Sequence, residues 1–354
     1  MTIYKGEAVT FEEYGKDLQK ILHTTKFEID STKLTKNQIL LKTIASPINP
    51  ADIGQIGGGY NDAEPRTDLG NVSPNKPTNV GGNEGVFKII EVGSEVSDFK
   101  VGDLVIPLLP KFGTWRNYAI AKSKDLINVS KLQIDQAATI SINPSTAYQI
   151  IHQFIKDWES GEFIIQNGGT SQVSKYVTQI AKIYNLKVIS IVRDGKSEKD
   201  LEYLKELGAT EVIPESEFNN EKFDITKYTN GAKVRLALNG VGTSIPNLVK
   251  SLSPNGYLAT YGVVGGATIE YDSRLQLFKN LSTVAFWLTS NTYKNPNFKI
   301  ETVNKLIELY NDKKIRDVSY NKIYFKSGED LTQVLLKGVV DTKTHGKQVI
   351  FYED

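Results

Sequence analysis

The chain reads as an α/β protein of two domains, a doubly wound parallel sheet accompanied by a small, mainly antiparallel β-barrel. Three observations predict this. Six apolar runs between Phe163 and Leu288 are separated for the most part by helical or loop material, the pattern of strands buried on both faces. The first 140 or so residues instead carry short alternating or apolar runs punctuated by Gly and Pro, as antiparallel strands do. At 354 residues the chain is long for one hydrophobic core. The expected boundaries are 1–145 for the barrel, completed by 297–354, and 146–296 for the parallel sheet.

In the barrel, strands are expected at Ile39–Ile44, Val86–Val92, Leu104–Ile106 and Asn117–Ile120. Residues 60–82 are polar, rich in Asn, Asp, Pro and Gly, and almost without periodicity. A loop of that length in a compact domain is usually functional or disordered. The parallel sheet opens with the most informative stretch of the chain. An apolar strand counted from Phe163 ends in a glycine-rich turn around Gly168 and Gly169, and a helix with one apolar face follows. That helix puts Val173, Val177, Ile180, Ala181 and Tyr184 on one face. A second strand, Val188–Val192, ends in Arg193-Asp194.

Strand, glycine turn, helix, strand is a βαβ unit. Its glycines let backbone approach a pyrophosphate, and the helix N-terminus offers unpaired N–H groups and a positive dipole end. A ribose 2′-OH is held after the second strand by an acidic side chain, whereas Arg193 offers a planar cation suited to a 2′-phosphate. The sequence therefore favours NADPH over NADH, although Asp194 makes the sign impure. The glycine pattern is degenerate, because Ser174 stands where a third glycine would help helix–strand packing. On this unit alone, a ligand-free crossover is the competing reading. The later strands are expected at Val212-Ile213, Val234–Asn239, Tyr257–Gly262 and Val284–Leu288. Ligands on such sheets sit beyond the carboxyl ends of the strands, where Asn167, Arg193, Asn239, Tyr261 and Leu288 fall. The tail begins with a helix carrying Ile300, Val303, Leu306, Ile307 and Tyr310, and ends in a strand over Lys347–Tyr352 that returns to the first domain.

Composition excludes several classes. The formal net charge is +1 and the lysines are dispersed, so no nucleic-acid surface is expected. No apolar run is long enough to span a bilayer. With no cysteine, disulfides, thiolate nucleophiles and Cys-based zinc sites are ruled out, and His23, His152 and His345 are too few for a histidine cluster. Glu7, Glu12, Glu13 and Asp17 argue against an uncleaved transit peptide. A mature form with its presequence removed would look the same.

Glu91-Val-Gly-Ser-Glu-Val96 followed by Val101-Gly-Asp-Leu-Val-Ile-Pro107 resembles the barrel signature of the medium-chain dehydrogenases/reductases. Ser46-Pro-Ile-Asn-Pro-Ala-Asp52, Gly81-Gly-Asn-Glu-Gly85, Gly113-Thr-Trp-Arg116, Ser141-Ile-Asn-Pro-Ser-Thr-Ala-Tyr148, Ile165-Gln-Asn-Gly-Gly-Thr-Ser171 and Ala285-Phe-Trp287 narrow the resemblance to the mitochondrial 2-enoyl thioester reductases. It runs nearly end to end. It implies a GroES-like β-barrel catalytic domain, a Rossmann nucleotide-binding domain, and NADPH-dependent reduction of enoyl-CoA or enoyl-acyl carrier protein in mitochondrial fatty acid synthesis. A homodimer in the mitochondrial matrix is implied as well.

The resemblance also implies roles for particular residues. Tyr60 matches the active-site tyrosine, and Trp287, grouped with it as a catalytic-site residue, matches a residue in the substrate pocket. Asn143 matches a cofactor-contacting asparagine, and Asn167, Gly168, Gly169, Thr170, Ser171, Gln172 and Val173 match the pyrophosphate turn. Arg193 matches the 2′-phosphate ligand, with Asp194 beside it. Tyr261, Gly262, Val263 and Val264, together with Phe286, Trp287 and Leu288, match the segments lining the nicotinamide and substrate cleft. Lys347 matches a cofactor-contacting lysine. Three departures stand out. Gly195 replaces a second phosphate-binding arginine, Val263-Val264 replaces Gly-Met, and Gly240 replaces Cys or Ser.

Zinc-dependent relatives carry Gly-His-Glu in the barrel, and here Gly82-Asn83-Glu84 lacks the histidine. An open zinc site needs about three protein ligands, so no metal is expected. Without a Lewis acid, an enolate oxygen formed on hydride addition at C3 must be stabilised by hydrogen-bond donors. Tyr60 could deliver the proton to C2, because a phenol is neutral at pH 7. The plain alternative is a loop tyrosine, one of 17 in the chain. Likewise Trp287 could be core packing and Lys347 a solvated terminal lysine. Trp115 and Trp158 read as structural. Two other functions compete, a zinc-free NADPH quinone or alkenal reductase and a catalytically silent nucleotide-binding paralogue.

Overall fold

The structure is a computed structural model that describes residues 2–60, 66–72, 77–266 and 268–353, with backbone alone at 343–345. The chain forms two compact units. One comprises Met1–Ile142, Thr289–Asn311 and Ser319–Asp354, and the other Asn143–Leu288 with Asp312–Val318.

The first unit is built on antiparallel strands: β1 (Ile3–Phe11), β2 (His23–Asp30), β3 (Gln38–Pro47), β4 (Asn79–Val80), β5 (Val86–Val92), β6 (Leu104–Pro107), β7 (Tyr118–Lys122) and β8 (Leu126–Asn128). The four barrel strands read from sequence are β3, β5, β6 and β7. β1 and β2 are long and carry Thr, Lys and Glu at alternate positions, so they lack the apolar runs that mark the others. They pair antiparallel from Ile3↔Asp30 to Thr10↔His23. β3 is the hub of the larger sheet, pairing with β5 and β7. Its Ile39, Leu41 and the facing Phe87, Ile89 and Val105 are fully buried. Burying one such side chain contributes roughly 1.5–3 kcal/mol.

The second unit contains β9 (Phe163–Gln166), β10 (Lys187–Val192), β11 (Glu211–Pro214), β12 (Val234–Asn239), β13 (Tyr257–Thr260) and β14 (Ser282–Ala285). They form one sheet in the order β11-β10-β9-β12-β13-β14, and every pairing is parallel. Connections reverse direction between β9 and β12, and that switch point is where doubly wound sheets bind ligands. β9 is buried along its whole length. The helix Gln172–Ile183 lays buried Val177, Ile180 and Ala181 against the sheet side, while Val173 is half-buried and Tyr184 forms its C-cap. Helix and parallel strands thus follow the apolar periodicity closely.

One expected strand is shorter than its apolar run. β14 stops at Ala285, because its partner β13 ends at Thr260. Phe286 still donates its N–H to the Thr260 carbonyl at 2.9 Å, but Leu288 already starts the helix Leu288–Lys294. Tyr257–Gly262 is shortened likewise, with Tyr261 and Gly262 turning off as a loop.

The tail returns to the first unit. The helix Pro296–Asn311 is followed by β15 (Asn321–Phe325) and β16 (Gln348–Tyr352). β16 pairs parallel with β15 and antiparallel with β3, so the last strand closes the first unit's sheet.

Candidate active site

In the second unit, the turn after β9 is shaped by two glycines. Gly168 has φ +58°, a conformation other residues adopt at a cost. At Gly169 a Cβ would stand 2.8 Å from Ser190 Cβ and 3.0 Å from the Ile191 carbonyl, so the backbone there lies against β10. Ser171 then caps the helix, its Oγ accepting from the Ser174 N–H at 3.2 Å. A compact backbone turn feeding a capped helix fits a pyrophosphate, because first-turn N–H groups have no partner within the helix.

Ser174 is no packing defect. It is fully buried, and its carbonyl accepts from Gln166 Nε2, which also bonds Thr178 Oγ1 and Ser190 Oγ at 3.0–3.2 Å. A buried amide therefore ties β9, the helix and β10 together. The Asn167 side chain, by contrast, is taken up by the protein. Its Nδ2 donates to Asn239 Oδ1 and the Thr243 carbonyl at 2.8 Å, and its Oδ1 accepts from the Gly240 N–H at 2.7 Å. Asn167 thus holds the loop after β12 at the switch point.

At the end of β10 the fold separates two adjacent charges. Asp194 turns onto the helix Glu215–Phe218, where it accepts from the Ser216 N–H at 3.2 Å and from its hydroxyl. Arg193 is exposed and has no side-chain hydrogen bond or ion pair among the described residues. The acidic neighbour is thus occupied while the guanidinium is available, which fits a 2′-phosphate and not a bare ribose hydroxyl. Thr170, Gln172 and Val173 surround the same turn, each half-buried.

Tyr261 begins the loop after β13, and its N–H donates to the Asn239 carbonyl at 2.9 Å. A Cβ on Gly240 would stand 2.4 Å from the Tyr261 hydroxyl, so the phenol lies against the loop after β12. Burial raises the phenol above its ordinary range, and the nearby Ser171 and Ser174 oppose that rise. Beyond it, Gly262 is half-buried and Val263 and Val264 are 50% and 76% exposed. Phe286 is buried, Leu288 is half-buried and Trp287 is 44% exposed. Asn143 starts the helix Asn143–Gln153 and is almost buried.

In the first unit, Asn49 caps the short helix Pro50–Ile56 through a capping box with Asp52. The helix ends in Gly57-Gly58-Gly59, whose N–H groups all bond back to its last turn at 2.8–2.9 Å. Tyr60 follows, half-buried, with its ring edge 3.1 Å from where a Gly54 Cβ would lie. Most of the polar loop beyond, at 61–65 and 73–76, is outside the described residues.

Beneath that helix lies a buried ionic cluster. Glu84 is fully buried. Its Oε1 accepts from the Ile142 N–H at 2.7 Å, and its Oε2 from Asn49 Nδ2 at 3.1 Å and Lys347 Nζ at 3.3 Å. Lys347 also donates to Asn49 Oδ1 at 2.7 Å. It is therefore neither a solvated terminal lysine nor an unpaired cation. Asn83, in place of the histidine of zinc-dependent relatives, donates to Asp52 at 2.6 Å and to Gln55 at 2.5 Å, and accepts from the Lys111 N–H at 2.8 Å. Among the described residues no group of three or more His, Cys, Asp or Glu could hold a metal ion. Burial pushes the Asp52 carboxyl up to about 6 against its three hydrogen bonds from Asn83 and Asn49.

Sequence reasoning missed Lys299. It is buried, donates to the Ser141 carbonyl, and is pushed down to about 7 by burial against the pull of Glu84. A signal was present. Lys299, Val303, Leu306 and Tyr310 follow helical spacing, which puts a lysine on a core face.

A barrel of antiparallel strands in one unit, and in the other a six-stranded parallel sheet with a glycine turn at its switch point, define a two-domain dehydrogenase/reductase. Residues 35–131 match the alcohol dehydrogenase GroES-like domain and 173–305 the zinc-binding dehydrogenase family. The chain is 42% identical over 99% of its length, and the whole of the relative's, to "Enoyl-[acyl-carrier-protein] reductase 1, mitochondrial" of Debaryomyces hansenii. It is 39% identical to an "NADPH quinone oxidoreductase" of Kluyveromyces marxianus, over 88% of this chain and 83% of that one. Among solved structures, the Etr1p/NADP/crotonyl-CoA complex superposes with a TM-score of 0.92 at 36% identity, covering 99% of this chain and all of that one. The Etr1p/Etr2p heterodimer of the mitochondrial 2-enoyl thioester reductase from Candida tropicalis gives the same values. The chain belongs to the mitochondrial enoyl-acyl-carrier-protein reductase family.

Proposed function

We propose that this protein is an NADPH-dependent enoyl thioester reductase. It converts trans-2-enoyl-CoA or enoyl-acyl carrier protein to the saturated acyl thioester in mitochondrial fatty acid synthesis, working in the matrix as a homodimer. The observation that carries the reading is full-length likeness to a protein whose solved complex contains NADP and crotonyl-CoA. The available guanidinium of Arg193 beside an occupied Asp194 supports the choice of cofactor.

Bound NADPH supplies hydride to C3 of the enoyl thioester. The chain's own residues do the rest. The turn 167–173 receives the pyrophosphate, and Arg193 the 2′-phosphate. Asn143, the Tyr261–Val264 loop and Phe286–Leu288 are assigned to the nicotinamide end, and Trp287 to the acyl pocket. Lys347 acts from its buried pair with Glu84. Charge that develops on the thioester oxygen is stabilised by hydrogen-bond donors, since the residues at the zinc position are committed to one another. Tyr60 gives its phenolic proton to C2, a task suited to a neutral acid seated firmly on a helix end.

The K. marxianus relative favours a second reading, a zinc-free quinone reductase. NADPH oxidation followed by absorbance separates the two, with crotonyl-CoA and trans-2-hexenoyl-CoA compared against a quinone. Turnover of the thioesters is expected. Turnover of the quinone alone would establish the second reading, and NADPH binding with no turnover of either would mark a catalytically silent paralogue.

A further inference from the structure

The helix Pro50–Ile56 is only seven residues long, too short to hold its own shape in water. Tertiary contacts therefore set its position, and with it the position of Tyr60. Asp52 and Gln55 stand one turn apart on its buried face. Asn83 Nδ2 donates to both, to Asp52 Oδ1 at 2.6 Å and to Gln55 Oε1 at 2.5 Å. The Asn83 backbone N–H adds a second bond to Asp52 Oδ1 at 3.0 Å. On its other side, Asn83 Oδ1 accepts from the Lys111 N–H at 2.8 Å. The amide can face only one way, because its nitrogen meets two oxygens and its oxygen meets an N–H. One buried side chain thus joins the first turn of the helix, its last turn and the loop at Lys111.

That loop is a firm anchor. Lys111 is buried and has φ +62°, a conformation that persists in a non-glycine residue where the surroundings fix it. The phenol rides on the far side of the helix from Asp52. Gly54 lies two residues on from Asp52, a little over half a turn, and a Cβ there would meet the Tyr60 ring at 3.1 Å. The N–H groups of Gly57, Gly58 and Gly59 bond to the carbonyls of Ile53, Gln55 and Gly54, so the chain before Tyr60 is folded back on the same last turn. Ile53 and Ile56 pack on the apolar cluster that holds Phe11, Leu22 and Trp115. Apolar burial is non-directional, so those contacts keep the helix down without setting its roll. The bonds to Asn83 are directional.

We propose that Asn83 is a positioning residue for Tyr60: by holding Asp52 and Gln55 together, it fixes the roll of the helix on whose end the phenol is seated. The inference rests on the reading of Tyr60 as the proton donor. The residue that stands where zinc-dependent relatives carry a histidine then serves to aim an acid.

The test follows NADPH oxidation with crotonyl-CoA by the full-length protein, comparing wild type, Asn83→Ala, Tyr60→Phe and the double variant. Loss of the amide should lower kcat about tenfold to a hundredfold, the cost of misplacing a reacting group by about 1 Å, with KM for crotonyl-CoA and the NADPH Kd held within about twofold. In the Tyr60→Phe background the same substitution should cost little more, because residues that act through one group are not additive. Gln55→Met keeps the length of its side chain and removes only the contact at the last turn. It should show the same pattern, and it carries the comparison if Asn83→Ala melts below the assay temperature. An equal loss of kcat in both backgrounds would make Asn83 merely structural and overturn the proposal. An unchanged kcat, or a raised KM at unchanged kcat, would overturn it too. Near-normal turnover in Tyr60→Phe alone would overturn the reading of Tyr60, and this inference with it.

Discussion

Arg193 and Asp194 are neighbours of opposite charge, and only the fold says which one is left available. Ser216 holds the carboxylate, so Arg193→Ala should weaken NADPH roughly tenfold to a hundredfold, the range of a charge-assisted contact, and leave NADH almost unchanged. Fluorescence titration with both cofactors checks this, and equal losses would make Arg193 merely structural. Tyr60→Phe should lower turnover by roughly two to four orders of magnitude, the usual contribution of a positioned acid. NADPH affinity should hold, since the ring keeps its seat on Gly54. Near-normal turnover would assign the proton to water or another residue. Lys299 carries a pH prediction. Its ammonium falls from 10.5 to about 7 on folding, so the unfolded chain holds the extra proton between those values. Stability from this group is therefore full above 10.5 and is lost as pH falls through about 7. Lys299→Met removes the dependence. Melting curves should show wild type gaining on the variant between pH 7 and pH 9, and parallel curves would remove Lys299 from the balance.

At the scale of elements, the glycine turn is the most sharply constrained piece. Gly169→Ala would put a methyl 2.8 Å from Ser190 Cβ, so β9 and β10 must part there. Overpacking of this kind costs roughly 1–3 kcal/mol, which denaturant unfolding should register together with weakened NADPH binding. Unaltered stability would mean that the sheet gives way freely. Elements of this unit were legible because parallel strands buried on both faces must be apolar throughout, as Ile164, Ile165 and Val188–Val192 are. β1 and β2 were not, since each keeps polar residues on its open face and Thr, Lys and Glu fill those positions. Site residues divide in the same way. Tyr60, Arg193 and the glycine turn are visible locally or through family resemblance. Glu84, Asn49 and Lys299 take their roles from partners tens to hundreds of residues distant, which no local pattern records. The resemblance singled out Lys347 without revealing that Glu84 already holds it.

At the scale of the whole molecule, β14 ends the parallel sheet, with Thr283 and Ala285 exposed along it. Leu277 and Phe278, on the helix just before it, are 73% and 80% exposed. Apolar side chains beside an open strand suit pairing with a second copy across a two-fold axis. Light scattering at micromolar concentration should therefore give twice 39.4 kDa, and a monomer would refute it. The closure of the first unit's sheet by β16 also sets an order of assembly on the ribosome. The strands of the parallel sheet are complete once Ala285 has emerged, so that sheet can form early, and only the short segment Asp312–Val318 joins its unit later. β3 must wait some three hundred residues for its last neighbour. Until Lys347 arrives, the carboxylate of Glu84 has no cation from that strand, and burying it alone is costly. The arrival of β16, and not any earlier moment of synthesis, is thus the event that lets the first unit settle.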